Sequence, residues 1–315
     1  MGKAIFITGG SGYIGRTLIA LALSRGYTVT ALSRTPSSDT TLSSLGARPI
    51  RGDLSTLSIL TERAAQADIV ISIADALASD HSMSRTERFR INDAANNALA
   101  EGLKGTGKAL VLTGGSLHAA ALPNHELTDE SSPGWPEGHW AAFNLGGIQQ
   151  RWLDMGVRVC QVRLAPYVYG RGGSGVGLFM KMWAQAGQGM VVDGGAMCTT
   201  TVHVDDAVRL YLLVAEKGRK GESYNATAET NITQAHLAQA ICRVIDVPCK
   251  ELSLDKAALK VGPFLAGFLS AENRASNRKA REELGWEVRG VGILRDIENG
   301  SYVEVAKALK DGRGA

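Results

Sequence analysis

Between the apolar run Ala4-Ile5-Phe6-Ile7 and an amphipathic stretch over 17–24 lies Thr8-Gly9-Gly10-Ser11-Gly12-Tyr13-Ile14-Gly15. A chain with three glycines at this spacing between a strand and a helix has few ways to fold. The first glycine permits a tight turn, and the second lets backbone approach a pyrophosphate. The third lets the helix pack on the strand. The helix N-terminus adds unpaired N–H groups and the positive end of its dipole. The motif predicts a dinucleotide-binding β-turn-α unit in which Gly9, Ser11, Gly12, Tyr13, Ile14 and Gly15 meet the cofactor.

Further short apolar runs at 28–32, 69–71, 109–112 and 157–162 alternate with helical patterns at 57–65 and 91–103. Strand and helix in alternation build a parallel sheet covered on both faces, so the expected class is α/β, a Rossmann-type doubly wound parallel sheet. After about residue 170 the pattern changes. A glycine-rich loop at 170–175 leads to a helical stretch at 178–186 and a turn at Asp193-Gly194-Gly195, and 231–246 and 272–284 read as helices. Residues 1–169 are therefore expected to form the Rossmann domain, with a return crossing near 200–227. Residues 170–199 and 228–315 are expected to form a smaller, mostly helical substrate-binding domain.

Composition narrows the function classes. With 315 residues, 44% hydrophobic and 21% charged, the chain can build a sizeable core and falls outside the disordered range. Its 34 basic and 31 acidic residues leave a net charge of +3, without a block of like charge. That balance points to neither nucleic acid nor a membrane surface, and leaves a small-molecule substrate as the expected partner. Cys160, Cys198, Cys242 and Cys249 form no C-x-x-C pair and read as reduced thiols, and no metal site is expected. The first apolar run is too short for a signal-peptide core, so a cytoplasmic protein is expected.

The end of the second strand bears on the cofactor. An acidic residue there would hydrogen-bond a ribose 2′-hydroxyl. This chain instead reads Ala31-Leu32-Ser33-Arg34-Thr35. A guanidinium beside hydroxyls suits a 2′-phosphate, which makes NADP(H) the expected cofactor and Ser33 and Arg34 its selectors. The other reading of Arg34 is an exposed arginine following a strand.

The motifs, in order along most of the chain, resemble the short-chain dehydrogenase/reductase superfamily in its extended or atypical branch, the NAD-dependent epimerase/dehydratase-like proteins. The glycine turn matches T-G-x-x-G-x-x-G. Gly52-Asp53-Leu54 is similar to the adenine-contacting segment, residues 68–74 to the fourth strand, and Ile91-Asn92 to the helix behind it. Residues 163–170 resemble the R-x-x-P-x-x-Y-G segment near the nicotinamide, residues 202–206 the V-H-V-D-D element, and Lys279 with Leu284-Gly285-Trp286 the C-terminal signature. The resemblance implies cofactor contacts at Asp53, Leu54, Ala74, Asn92, Thr113 and Pro166, and a homodimer as one assembly. Asp53 reads equally well as a turn-closing residue, and His203 with Asp205-Asp206 as a helix cap.

The family's reductases use Tyr-x-x-x-Lys as a proton relay. Of the seven tyrosines here none has lysine four residues later, and Trp140 and Asn144 align with that position. An indole N–H donates but is no useful acid, and an amide carries no charge. Ser116, after Thr113-Gly114-Gly115, is expected as the helper hydroxyl. His139, beside Trp140, and Tyr169 are further catalytic candidates, with His118, His125 and Tyr167 behind them. The leading expectation is an NADP(H)-dependent oxidoreductase or epimerase-like enzyme acting on a small carbonyl or alcohol. A redox-neutral isomerase or cyclase and a non-enzymatic NADP(H) sensor remain as alternatives. Met180, Met182, Trp183, Met190, Phe264 and Phe268 read as core or as an apolar pocket lining.

Overall fold

The apolar runs of the first half become parallel strands buried on both faces, as their near-continuous hydrophobicity requires. The computed structural model describes residues 2–78, 83–139, 141 and 148–312. The strands of the first half are β1 (Ala4–Thr8), β2 (Thr28–Ser33), β3 (Arg48–Arg51), β4 (Ile69–Ser72), β5 (Ala109–Gly115) and β6 (Arg158–Leu164). Between them run α1 (Tyr13–Ser24), α2 (Pro36–Ser44), α3 (Leu57–Gln66), α4 (Arg85–Gly102) and α5 (Gln150–Asp154). Next come β7 (Tyr167–Tyr169), α6 (Ser174–Ala186), β8 (Gly189–Val192), β9 (Cys198–His203), α7 (Val204–Lys217), β10 (Ser223–Ala226) and β11 (Glu229–Thr233). The chain finishes with α8 (Gln234–Ile245), β12 (Cys249–Leu252), α9 (Leu254–Val261), α10 (Pro263–Ser270), α11 (Arg278–Leu284), α12 (Ile293–Asn299) and α13 (Val303–Lys310).

The main sheet has the order β10-β6-β5-β4-β1-β2-β3, and every pair in it is parallel. Order reverses between β1 and β4, where an open α/β sheet leaves a crevice at the carboxyl ends of its strands. Leu18, Ile19 and Ala22 of α1 and Val208, Tyr211 and Leu212 of α7 fill one face. Leu60, Ala95, Leu99 and Trp152, from α3, α4 and α5, fill the other. The chain returns to the main sheet at β10, beside β6.

The C-terminal part is largely helical, but it also holds two small sheets that the helical spacing did not reveal. One has the order β11-β9-β7 and the other pairs β12 with β8. A separate apolar cluster packs among them, with Val176, Met180, Trp183, Leu237, Ile241 and Ile297 at its centre. The predicted helix at 272–284 begins only at Arg278. Residues before it stay extended because their polar groups are used elsewhere: Asn273 N–H donates to Cys198 O at 2.9 Å and Ser276 N–H to Thr128 O at 2.8 Å. The four cysteines are free thiols. Among the described residues, no helix is long and apolar enough to cross a membrane, and no cluster of His, Cys, Asp and Glu could hold a metal ion.

Candidate cofactor and substrate cleft

The three glycines of the first turn have different surroundings. Gly9 has φ +77, and a Cβ there would lie 2.8 Å from Ala74 N. A Cβ on Gly15 would lie 2.2 Å from Gly9 O, so only glycine lets α1 pack this closely on β1. Gly12 is exposed, has an ordinary φ of −75, and its added Cβ would meet nothing nearer than Gly9 O at 3.3 Å. Gly9 and Gly15 therefore serve the turn's own packing, and Gly12 leaves its outer face open to a ligand. No side chain caps α1 and no acid stands in its first turn. Its first N–H groups and dipole thus fit an anion, with Ser11 partly exposed beside them. Tyr13 closes one side: its hydroxyl donates to Gly170 O at 2.8 Å.

At the edge of β2, Ser33 is buried at 1% exposure and its hydroxyl donates to Thr35 O at 3.3 Å. Arg34, the first residue past β2, is exposed. Thr35 caps α2 by accepting the Ser38 N–H at 3.2 Å. Asp53 accepts the Ser55 N–H at 2.8 Å and the Thr56 hydroxyl at 3.0 Å through one carboxylate oxygen, which closes the turn before α3.

A cavity of about 400 Å³ opens at the carboxyl ends of β4 and β5, alongside α4. Leu54, Ala74, Asn92 and Thr113, four residues expected at the cofactor, meet in its wall. A relay of hydroxyls ties it to the first turn: Ala74 N–H donates to Thr8 Oγ1 at 3.3 Å, Thr8 to Ser72 Oγ at 3.4 Å, and Ser72 to Asn96 Oδ1 at 2.9 Å. Asn92 lines the cleft, but its amide is occupied by the protein, accepting from Ala76 N–H at 2.9 Å and donating to Asp75 at 3.2 Å. Thr113 donates to Ser72 O at 2.8 Å and pairs with the Tyr211 hydroxyl at 2.7 Å. Pro166 is half-buried beyond β6, outside this wall.

Asp75 is the organising residue that the motifs did not reveal. It takes a two-pronged ion pair from Arg88, at 2.8 and 2.7 Å, and also accepts the Leu77 N–H at 2.8 Å. Its adjacency to Ala74 was the one available signal. Ser116 is buried after β5 and donates to Asn273 Oδ1 at 2.8 Å, across 157 positions of sequence. Asn273 is held in turn by Thr200, whose hydroxyl donates to its carbonyl at 2.7 Å. No local pattern marks Asn273.

His139 stacks on Trp135 with ring centroids 4.1 Å apart, and its Nδ1 accepts the Ala141 N–H at 3.1 Å. Trp135 donates to Leu117 O at 2.9 Å, which anchors the stack beside Ser116. Trp140 and Asn144 lie outside the described residues. His125 sits in an exposed loop, 2.7 Å from Glu272.

Tyr169 is a correction. β7 leaves the main sheet to pair with β9, which turns this phenol under the C-terminal segment, where it donates to Val291 O at 2.5 Å. Burial, with Glu229 and Asp296 nearby, pushes its ionisation far above the usual range. It is closed off from the cleft as a proton donor. Tyr167 is likewise buried, with its hydroxyl on Gln234 Oε1 at 3.3 Å. His203, not an aspartate, caps α7: its Nδ1 accepts the Asp205 N–H at 3.2 Å.

The sheet order, the glycine turn and the cleft at the strand reversal define a dinucleotide-binding Rossmann protein of the oxidoreductase type. The profile of the NAD dependent epimerase/dehydratase family matches residues 5–227, and the chain belongs to that family. An uncharacterized protein of Saccharomyces cerevisiae is 30% identical over 93% of this chain and 97% of its own. A 4-hydroxy-2-methyl-3-oxo-4-farnesyl-3,4-dihydroquinoline-1-oxide ketoreductase of Stigmatella aurantiaca is 26% identical, over 90% of this chain and 92% of its own. Among solved structures, the dTDP-glucose 4,6-dehydratase DesIV of Streptomyces venezuelae, with NAD bound, has a TM-score of 0.76 at 19% identity. That match covers 99% of this chain and 98% of that one, and speaks for the fold.

Proposed function

We propose that this chain is an NADP(H)-dependent oxidoreductase acting on a small carbonyl or alcohol. The observation that carries the reading is the open face at Gly12 together with an exposed arginine, in place of an acid, just beyond β2. NADP(H) bound there supplies or accepts the hydride. The first-turn N–H groups of α1 hold the pyrophosphate, and Arg34 with the hydroxyls at the start of α2 holds the 2′-phosphate. Leu54 and the backbone of Ala74 wall the cleft and exclude water. Ser116 spends its proton on Asn273 and keeps its acceptor lone pairs, and with these it is assigned to orient a substrate hydroxyl from beneath the Gly114–Gly115 wall of the cleft. His139, held by the Trp135–Leu117 anchor, is the group assigned to proton delivery.

Titrating the purified protein with NADPH and NADH tests the cofactor half: NADPH is expected to bind at least about tenfold tighter, and Arg34→Asp to reverse the order. Tighter NADH binding by the unaltered protein sinks it. Following NADPH absorbance with aldehydes and ketones tests the chemistry. Turnover is expected, falling about a hundredfold in Ser116→Ala and in His139→Gln. Tight NADPH binding with no turnover across the panel would mark the chain as a sensor instead.

A further inference from the structure

A second cavity of about 400 Å³ lies between α6, β8, β12 and the α9–α10 pair, and shares no lining residue with the cofactor cleft. Its volume is within the range of small-molecule sites. The wall is apolar, made by Met182, Trp183, Met190, Leu252, Val261 and Leu265. The charged residues of its lining are Lys250 and Lys260, both exposed, and no acid joins them. Alternation along β12 turns Lys250 and Leu252 to the cavity, while Glu251 sits on the other side near Gly194.

Trp183 adds a separate observation. It is 2% exposed, and its indole N–H has no hydrogen-bond acceptor. A buried donor without an acceptor costs free energy, and such groups are uncommon in folded proteins. An apolar cavity with two cations and no acid in its lining is complementary to an amphipathic anion.

We propose that this cavity is a second ligand site, one that takes a small carboxylate bearing an apolar tail. The tail packs among Met182, Met190, Leu252 and Leu265, and the carboxylate meets the ammonium groups of Lys250 and Lys260. The site stands apart from the hydride chemistry, so the two readings fail independently.

Calorimetric titration of the full chain with octanoate, decanoate and 1-octanol tests it. Octanoate is expected to bind at least about tenfold tighter than 1-octanol, because the alcohol lacks the charge. The two added methylenes of decanoate should tighten binding a further roughly tenfold. Replacing both lysines, Lys250→Gln with Lys260→Gln, should bring octanoate to the level of the alcohol. Ala186→Trp, an exposed position on α6 in the cavity lining, should abolish binding of both probes. NADPH affinity should be unchanged in each variant, which reports an intact fold. Equal binding of octanoate and octanol, full octanoate affinity in the double variant, or no binding of either probe overturns the site. Self-association that Ala186→Trp abolishes, without carboxylate binding, would assign the face to a second copy of the chain and likewise overturn it.

Discussion

The β1–α1 turn and the C-terminal layer around β7 and β9 treat polar groups in opposite ways. At the turn, the first N–H groups of α1 lack any side-chain cap and Gly12 presents an open face. In the C-terminal layer, the polar side chains of Tyr302, Asp206 and Trp286 are occupied by distant backbone. Tyr302 accepts Gly170 N–H at 2.9 Å and donates to Gly173 O at 2.7 Å. Asp206 accepts Arg289 N–H at 3.0 Å and Gly290 N–H at 2.8 Å, and Trp286 donates to Asp206 O at 2.9 Å. Open polar groups fit a ligand, and closed ones hold two stretches of chain together. A tyrosine next to a family motif can belong to either kind, and Tyr169 belongs to the second.

The largest effect that could break this contrast lies within the turn itself. Gly15→Ala forces a Cβ against Gly9 O and should cost about 3 kcal/mol of stability, with loss of NADPH binding. Gly12→Ala, whose Cβ comes no closer to the protein than 3.3 Å from Gly9 O, should cost no more than about 1 kcal/mol and weaken NADPH binding about tenfold. Thermal unfolding alongside cofactor titration separates the two. If Gly12→Ala destabilises as much as Gly15→Ala, the division of roles within the turn is wrong.

A smaller effect is expected at Tyr169. Tyr169→Phe leaves the Val291 carbonyl without its donor and should cost about 1 kcal/mol, with kcat and KM unchanged. A fall in kcat at unchanged melting temperature would return this phenol to the chemistry.

The smallest concerns His203. Burial lowers its pKa, Arg171 and Arg209 add to the lowering, and Asp205 and Asp296 oppose it. The folded protein thus favours the neutral ring, while the unfolded chain takes up a proton near the usual 6.5. The stability that depends on the neutral ring is complete above that value and is lost as pH falls toward the lower folded pKa. Melting temperature should therefore drop more steeply between about pH 7 and 5 in the wild type than in His203→Asn, which caps without titrating. Parallel profiles would show that the cap does not titrate in this range.

Much of the parallel sheet was legible because its strands are short apolar runs and its turn chemistry is local. Gly9 and Gly15 could be read directly, since a strand, three glycines and a helix leave one geometry. The position of Arg34 was legible for the same reason, being the residue just past a strand end. The burial of Ser33 was not: how deeply a strand-end residue is covered depends on its neighbours in the sheet. The strands β7, β9 and β11 were hidden because their partners lie far apart in sequence, so no local period announces them.

The sequence alone determined the family, the dinucleotide turn and the alternation of strand and helix, because each rests on contacts between residues close along the chain. Tertiary structure alone decided which polar side chains remain for a ligand. Ser116 meets Asn273 across 157 positions and Tyr169 meets Val291 across 122. Pairings at that distance follow from how two apolar cores dock, and no spacing along the chain encodes them.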